Sequence, residues 1–276
     1  MASGAAKLNG KVAGGLFIAV VLMVTPVFLR NGHSHISVAA TSIDAGEADE
    51  RLFVENGRPL AEAILMLEKR FRTVITYEDP PYVYRGDIAD VTESTRRDLD
   101  KYPPGKAPRV FVPTGGRLEF VIVQRPDGPP DARDTLENLV SEYALTIPAA
   151  RFRIGTSANA FHAIPISVRN PAGRLSSQTA LLDAAITLPA KERNGVQAIR
   201  DFCAEVSRMT HTRVVDGTMP SQLAAYNHTY SFPRATNARV VLTQILKSFE
   251  GAPPLSWRLL YDPTMKMFVL NIHSVR

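Results

Sequence analysis

The sequence contains a single cysteine, Cys203, in 276 residues. One cysteine excludes an intramolecular disulfide, so the packing of side chains has to stabilise the fold. Cys203 follows Ile199 by four residues and precedes Val206 by three, which predicts a position on the apolar face of a helix. A lone cysteine in such a place is usually a small buried hydrophobic side chain, and we expect that role rather than the role of a nucleophile.

The sequence also lacks a concentration of positive charge, although its formal net charge is +5. Three basic residues, Lys7, Lys11 and Arg30, lie in the first 40 residues, which contain no acidic residue. The remainder has no basic run and no patch in which basic and aromatic residues alternate, so the net charge is a poor indicator of nucleic-acid binding. We therefore expect no nucleic-acid partner.

Known catalytic and cofactor-binding motifs are missing as well. The sequence has no G-x-S-x-G, no H-E-x-x-H, no P-loop and no dinucleotide fingerprint. His33 and His35 form an H-x-H pattern, but no further metal ligand lies near them in the sequence, so we interpret this stretch as a solvated linker. We expect a protein without catalytic residues, cofactor, bound metal or small-molecule substrate.

The first 40 residues predict export from the cytoplasm. Lys7 and Lys11 precede an apolar, uncharged stretch at 12–29, and small residues follow it up to Ala40. A basic start, an apolar core and a small-x-small site are typical of a cleaved secretory signal peptide. Because about 18 apolar residues also suffice to span a bilayer, the same stretch is equally compatible with an uncleaved membrane anchor. In both cases the bulk of the chain lies outside the cytoplasm.

Two segments of the chain carry the same helical pattern. Residues 132–143 read ARDTLENLVSEY and residues 238–249 read ARVVLTQILKSF, and they align without a gap. Both have apolar residues at i, i+3, i+4 and i+7, which predicts an amphipathic helix with one buried face. The corresponding residues are Leu136 and Leu242, Leu139 and Ile245, Val140 and Leu246, and Tyr143 and Phe249.

The segments around these two helices also match. Each half of the chain predicts a strand, a helix, two strands, a second helix and a β-hairpin, with hairpins at 152–164 and 257–272. The predicted fold class is α+β, in two tandem small two-layer αβ units that follow an N-terminal apolar helix. The first unit covers 51–166 and the second covers 184–276. Residues 167–183 between them are rich in Ser, Asn, Gly and Pro and predict a linker.

The first unit carries a long insertion. Residues 80–108 are dense in proline and charge, whereas the second unit has only TMPSQLAAYNHT in the corresponding place. After the insertion, Gly115 and Gly116 favour a tight hairpin turn between two strands.

Several motifs of the two units are specific enough to compare with a known family. RPLAEAILMLEKRF and VITYEDP in residues 58–80 have the signature of the first helix and following strand of the secretin and TonB short N-terminal domain, a small periplasmic module which the chain resembles. The second unit is similar through ARVVLTQIL and its hairpin, but it lacks the Pro-Leu opening of the first helix. The resemblance covers most of 51–272 outside the insertion and the linker. It implies a free-standing tandem of interaction domains in the periplasm, without a pore or barrel domain.

The proline-rich stretch YEDPPYVYRG contains the candidate binding residues. Tyr82 and Tyr84 stand two apart on a stiffened loop, where tyrosine provides contact area at low entropic cost. The alternative is that both rings fold back and cover their own sheet. Glu78 and Asp79 end the preceding strand, and we expect them to solvate the turn rather than to act as an acid and a base. Small sheets also leave edge strands to which a partner could add a strand.

The functional expectation is a non-enzymatic periplasmic protein that binds other envelope proteins, as an accessory of a secretion, pilus or uptake system. The membrane is a further partner if residues 12–29 are retained. One alternative is an envelope enzyme that uses carboxylates, His162 or His273 in a cleft between the units, although both histidines are expected to be exposed or half-buried. Another is a cell-wall or glycan-binding module. An enzyme should gather polar side chains in one concave pocket, a protein-binding module should scatter them, and a glycan binder should line a groove with aromatic rings.

Overall fold

Outside the insertion and the predicted linker, the helices and strands of residues 50–276 follow one another in the predicted order. A computed structural model describes residues 35–37, 50–122, 128, 130–157, 160–249 and 253–276. The helices in these ranges are α1 (Pro59–Phe71), α2 (Thr92–Thr95), α3 (Ala132–Thr146), α4 (Gly195–Thr210) and α5 (Ala238–Lys247). The strands are β1 (His35–Ser37), β2 (Glu50–Asn56), β3 (Val74–Glu78), β4 (Ile88–Asp90), β5 (Phe111–Pro113), β6 (Gly116–Ile122), β7 (Ala150–Ser157), β8 (Ala160–Arg169), β9 (Leu175–Ser177), β10 (Ala185–Asn194), β11 (Val214–Asp216), β12 (Asn227–Asn237), β13 (Leu255–Asp262) and β14 (Met267–Ser274).

The two matched helices, α3 and α5, begin with the same kind of cap. The side chain of Asp131 accepts a hydrogen bond from the backbone N–H of Arg133, and that of Asn237 accepts one from the N–H of Arg239. Such caps satisfy N–H groups that have no partner inside the helix. All eight residues of the predicted apolar stripes are buried, so the buried face assigned from the sequence is confirmed.

The first helices of the two halves, α1 and α4, are also alike. Leu60, Ile64 and Leu67 form an apolar stripe on α1, and these residues and their counterparts on α4 are buried. Phe71 and Thr210, at the ends of the two stripes, are half-buried. The counterparts on α4 are Ile199, Cys203 and Val206. Cys203 is 2% exposed, which confirms the role of a small buried hydrophobic side chain, and burial raises the pKa of its thiol.

The described strands form four sheets, and the fold is α+β. The largest sheet has seven strands in the order β11-β14-β13-β3-β8-β7, with β9 paired beside the end of β8. A second sheet has the order β1-β2-β6, and the pairs β10-β12 and β4-β5 form the two others. One contiguous apolar core contains buried residues of both halves of the chain.

The strand register is equivalent in the two halves. In the first half, β3 runs parallel to β8 with Ile75 opposite Phe161. In the second half, β11 runs parallel to β14 with Val214 opposite Phe268. The hairpins agree as well. Phe152 lies opposite Pro165, and the residue four positions after Phe152 lies opposite Phe161. Likewise, Trp257 lies opposite Ile272, and the residue four positions after Trp257 lies opposite Phe268. Residues of one half can therefore be assigned counterparts in the other.

The two halves share the seven-stranded sheet, because β3 of the first half pairs in parallel with β13 of the second. Tyr77 lies opposite Arg258 and Glu78 lies opposite Leu259. Residues Gly32–Arg276 accordingly cluster as one compact unit. The segment 167–183, for which the sequence predicts a linker, contains the end of β8 and the whole of β9, which pairs with it.

Gly115 and Gly116 do not form the predicted hairpin turn. The strand before them, β5, pairs with β4 of the insertion, and the strand after them, β6, pairs with β2. Gly115 has a φ of 61°, and a Cβ atom on it would overlap the carbonyl oxygen of Asn56. The glycine therefore allows two segments of backbone to cross closely, which a local turn rule does not detect.

The N-terminal predictions fall outside this part of the chain. The apolar stretch at 12–29, the signal-peptide or anchor assignment of 1–40, and His33 lie outside the described residues, and His35 is described only as the first residue of β1. Among the described residues, no helix combines the length and apolar character needed to cross a bilayer.

Candidate functional site

Buried charged side chains lie at the seam, which we define as the junction of β3 with β13. Glu78 at the end of β3 and Asp79 after it are 0% and 1% exposed, so the expectation that they solvate a turn is wrong. Residues of the second half cover this end of β3. Glu78 Oε2 lies 2.7 Å from Nη2 of Arg239 on α5, and Glu78 Oε1 accepts the N–H of Leu182 at 3.2 Å. Burial raises the pKa of Glu78, while Arg239 acts in the opposite direction.

The Asp79 carboxylate accepts four hydrogen bonds, three from residues of the first half and one from the second half. Its Oδ2 accepts Nε–H of Arg58 at 2.7 Å and the backbone N–H of Tyr261 at 2.9 Å. Its Oδ1 accepts the hydroxyl groups of Tyr77 at 2.7 Å and Tyr82 at 3.3 Å. A carboxylate has about four acceptor positions, so Asp79 is saturated and fixed in place. Its role at the seam is structural.

The structure places the two candidate binding tyrosines differently. Tyr82 is 6% exposed, and its ring packs against Tyr261 with a centroid distance of 6.5 Å. Its position is that of a side chain that covers its own sheet. Tyr84 is half-buried, and the guanidinium carbon of Arg169 lies 4.9 Å from its ring centroid. Of the two rings, only that of Tyr84 retains substantial exposed surface.

A cleft between β8 and α5 opens beside the seam. It has two adjoining parts of about 400 and 410 Å³, which share His162, Thr243 and Lys247, and we call the two parts together the seam cleft. The first part has apolar walls, and Arg72 lines it in addition to the shared Lys247. Its other described lining residues include Leu246, Phe249, Pro253, Pro254, Leu255 and Trp257. The second part has more charged side chains among its described lining residues, which include Arg153, Ser157, Asp183, Arg239 and Gln244.

His162 lies where the two parts of the cleft meet. It is 3% exposed, which corrects the expectation of an exposed or half-buried ring. Its Nδ1 lies 2.7 Å from Oγ1 of Thr76 and its Nε2 lies 2.7 Å from Oγ of Ser157. The ring stacks on Trp257 with a centroid distance of 6.4 Å. Both ring nitrogens are therefore satisfied by hydroxyl groups of the protein.

The charges around His162 keep its ring neutral. Burial is the largest cause, and the positive charges of Arg239, Arg153 and Lys247 add to it, so that the pKa of His162 is lowered to about 4. Arg239 is itself buried, and its Nη1 has no hydrogen-bond partner among the described residues. The described lining residues of the cleft include the cations Arg72, Arg153 and Lys247 besides Arg239, which is paired with Glu78, and one carboxylate, Asp183. The cations that exceed the carboxylates are suited to an anionic ligand group.

Polar side chains thus converge in one concave site, which is the arrangement expected of the enzyme alternative. The contact of Ser157 with His162 has the geometry of a nucleophile with its base. However, a base whose pKa is about 4 accepts a proton poorly at neutral pH. The chemistry of the cleft favours the binding of an anion over the activation of a serine.

The second candidate histidine, His273, lies on β14, outside the seam cleft. His273 Nε2 is 2.5 Å from Oε2 of Glu68 on α1, and Glu68 Oε1 accepts the N–H of Ile75 at 3.0 Å. Glu68 is buried and His273 is half-buried. The pair joins the first half to the second, but it does not line the seam cleft, so the structure does not bring His162 and His273 into one site.

Sequence reasoning did not single out the cations of the cleft. Arg239 belongs to the Ala-Arg pair that opens both matched helices, but nothing in the local sequence indicates that it is buried against Glu78. Arg72 and Lys247 lie 175 positions apart and meet only in the folded chain. Among the described residues, no group of three or more His, Cys, Asp or Glu side chains is placed to hold a metal ion.

The chain matches no protein-family model, no curated protein and no solved structure. We therefore infer the function from the chemistry of the cleft itself.

Proposed function

We propose that this chain is a non-enzymatic protein that binds another protein outside the cytoplasm, and that the seam cleft accepts a segment of that partner with acidic side chains. The cleft has the volume of a site for a few side chains, since ligand sites span roughly 300 to 1,000 Å³. Its apolar wall suits an aliphatic or aromatic side chain of the partner, and its cations suit a neighbouring carboxylate.

The observation that carries this proposal is the combination of Trp257 and Phe249 with Arg72 and Lys247 around one opening. Among the described residues that line the first part of the cleft there is no acidic side chain, and Arg72 and Lys247 there attract an incoming carboxylate. The rim cations mainly increase the rate of association and set the preference for acidic segments.

The wider role is that of a periplasmic accessory of an envelope secretion, pilus or uptake system. The equivalent register of the two halves supports two tandem αβ units of the strand-helix-strand-strand-helix-hairpin type, similar to the secretin and TonB short N-terminal domain. The basic and apolar pattern of the first 40 residues supports export, either with a cleaved signal peptide or with residues 12–29 as a membrane tether.

Affinity capture with charge-reversed bait tests the proposal. Residues 41–276 and the double variant Arg72→Glu/Lys247→Glu are immobilised and exposed to envelope extract, and we expect the protein retained by the natural sequence to be lost with the variant. Lys191→Glu is the matched control, because Lys191 is exposed on β10 and does not line the cleft. Circular dichroism has to show that all three baits are folded. Retention of the same protein by the double variant would contradict the proposal.

A further inference from the structure

The outer edge of β7 is open. β7 is eight residues long and pairs with β8 on one side only, and no described strand pairs with its other side. Arg153 and Thr156 of this strand are exposed. Unpaired N–H and C=O groups along such an edge form a template on which another extended chain can pair.

The second half shows how the same edge is used. The equivalent register makes β13 the counterpart of β7, with Leu259 in the place of Ile154 and Tyr261 in the place of Thr156. The outer edge of β13 is occupied by β3, which runs parallel to it. Leu259 C=O accepts the N–H of Asp79 at 2.8 Å, and Tyr261 N–H donates to the Asp79 carboxylate. By equivalence, the C=O of Ile154 and the N–H of Thr156 face outward from β7.

The helix that packs on each of these two strands has an arginine at the same position relative to its N-terminal cap. Arg239 follows the capping residue Asn237 by two positions, and Arg133 follows the capping residue Asp131 by two positions. Arg239 binds the carboxylate of Glu78, which the added strand β3 brings to the edge. The side chain of Arg133 is 58% exposed, and its Nε donates to Glu137 of its own helix at 2.8 Å.

We propose that the edge of β7 together with Arg133 is a second strand-binding site, which takes an extended acidic segment of a partner protein in parallel to β7. A glutamate of that segment would replace Glu137 as the partner of Arg133, as Glu78 does for Arg239. Side chains of β7, among them Arg153 and Ser157, also line the seam cleft, but this surface goes beyond the proposed function because its recognition uses the outer backbone edge of β7 and Arg133, which does not line the cleft.

A second copy of the chain fits this edge less well than an acidic segment. The counterpart of β3 is β11, and alignment of Val214 with Ile75 puts Asp216 and Gly217 in the places of Tyr77 and Glu78. A glycine in the position of Glu78 offers no carboxylate to Arg133. In addition, the N–H of Thr218, the residue that follows, is already bound by Asn271 Oδ1 at 2.9 Å.

The chain provides its own probe, since β3 is a segment known to occupy the equivalent edge. A synthetic peptide TVITYEDP, which copies residues 73–80, is titrated into the full chain by fluorescence anisotropy, together with TVITYQNP as the uncharged control. We expect saturable binding of the acidic peptide and binding weaker by roughly five- to tenfold for the control, because a charge-assisted hydrogen bond is lost. A third peptide with an N-methyl group on its aspartate should bind weakly too, since it lacks the N–H for Ile154 C=O.

Variants of the protein locate the site. Arg133→Gln should reduce peptide affinity roughly five- to tenfold, while Glu137→Gln should increase it, because the latter removes the carboxylate that hydrogen-bonds to Arg133, although Asp131 and Asp134 remain nearby. Lys191→Gln is the folded control with an unchanged affinity. In nitrogen-15 spectra of the natural chain, the amide signals of Ile154 and Thr156 should shift with added peptide.

Any one of three outcomes would overturn the inference. The first is equal affinity for the charged and uncharged peptides, and the second is an unchanged affinity of Arg133→Gln for the peptide. The third is self-association of the chain in light scattering with no peptide binding, which would assign the edge to a second copy.

The double variant Arg72→Glu/Lys247→Glu separates the two proposals. If it binds the peptide normally but loses the captured envelope protein, both stand. If peptide binding fails while capture depends on the cleft, only the present inference is lost.

Discussion

Replacing Glu78 by glutamine should destabilise the whole described fold, because Glu78 is part of the seam. The change removes the negative charge beside Arg239, whose side chain is 7% exposed, and leaves that cation buried. Loss of one partner of a buried ion pair costs about 3–5 kcal/mol in the free energy of unfolding. Asp183 lies 3.2 Å from the same guanidinium and offsets part of this cost, so we expect a value near the lower limit, about 3 kcal/mol.

Thermal and chemical unfolding of the Glu78→Gln variant measure this effect. A destabilisation of about 3 kcal/mol corresponds to a fall in Tm of roughly 6–12 °C for a domain of this size. Trp257 is the only tryptophan in the sequence, and it lies close to Arg239, 5.8 Å from ring centroid to guanidinium carbon. Its fluorescence therefore reports on the seam, while circular dichroism reports on the whole fold, and the two curves should coincide.

The double variant Glu78→Leu/Arg239→Met removes both charges of the buried pair. Since burial raises the pKa of Glu78 in spite of Arg239, the pair is costly to desolvate, and replacing both charges by apolar side chains should restore most of the lost stability. A loss below about 1 kcal/mol for Glu78→Gln, or separate fluorescence and dichroism transitions, would refute the description of the seam as a buried ionic junction of one cooperative unit.

Two further predictions concern the cleft and the core. The pKa of His162 is lowered to about 4 in the folded chain, against about 6.5 in an unfolded one. As the pH falls, the unfolded chain therefore takes up a proton before the folded one does. The protonation of His162 should lower the free energy of unfolding by roughly 3 kcal/mol between about pH 6.5 and 4, and should cause no further loss below that range. A ring that titrates near its ordinary pKa in an NMR experiment on the folded protein would contradict this. Leu139→Asp and Ile245→Asp each bury an unpaired charge at a fully buried position and should abolish cooperative melting, whereas a melting curve like that of the natural chain would show that the helix faces are misassigned.

Local patterns were sufficient for the helices and hairpins. The spacing of Leu136, Leu139 and Tyr143 identified the buried face of α3, and the matching positions identified that of α5, because helical periodicity is a local property of the chain. The same applies to Cys203, which packs as its neighbours indicate. The candidate site was much less predictable. Tyr82 was predicted to be a binding residue because it lies on a proline-rich loop. Its ring packs on Tyr261, a residue of the other half, and local sequence does not reveal this contact.

Local sequence patterns were sufficient to indicate two similar halves, because the order of the elements and the apolar stripes repeat along the chain. The folded chain alone shows that β3 adds to β13, so that Glu78 and Asp79 become buried links instead of solvated turn residues. Strand pairing and ion pairing act between residues far apart in the chain, and local patterns do not describe them. Whether a carboxylate is buried depends on the distant cation and the distant strand that pack beside it. The residues next to the carboxylate in the sequence do not indicate either of them.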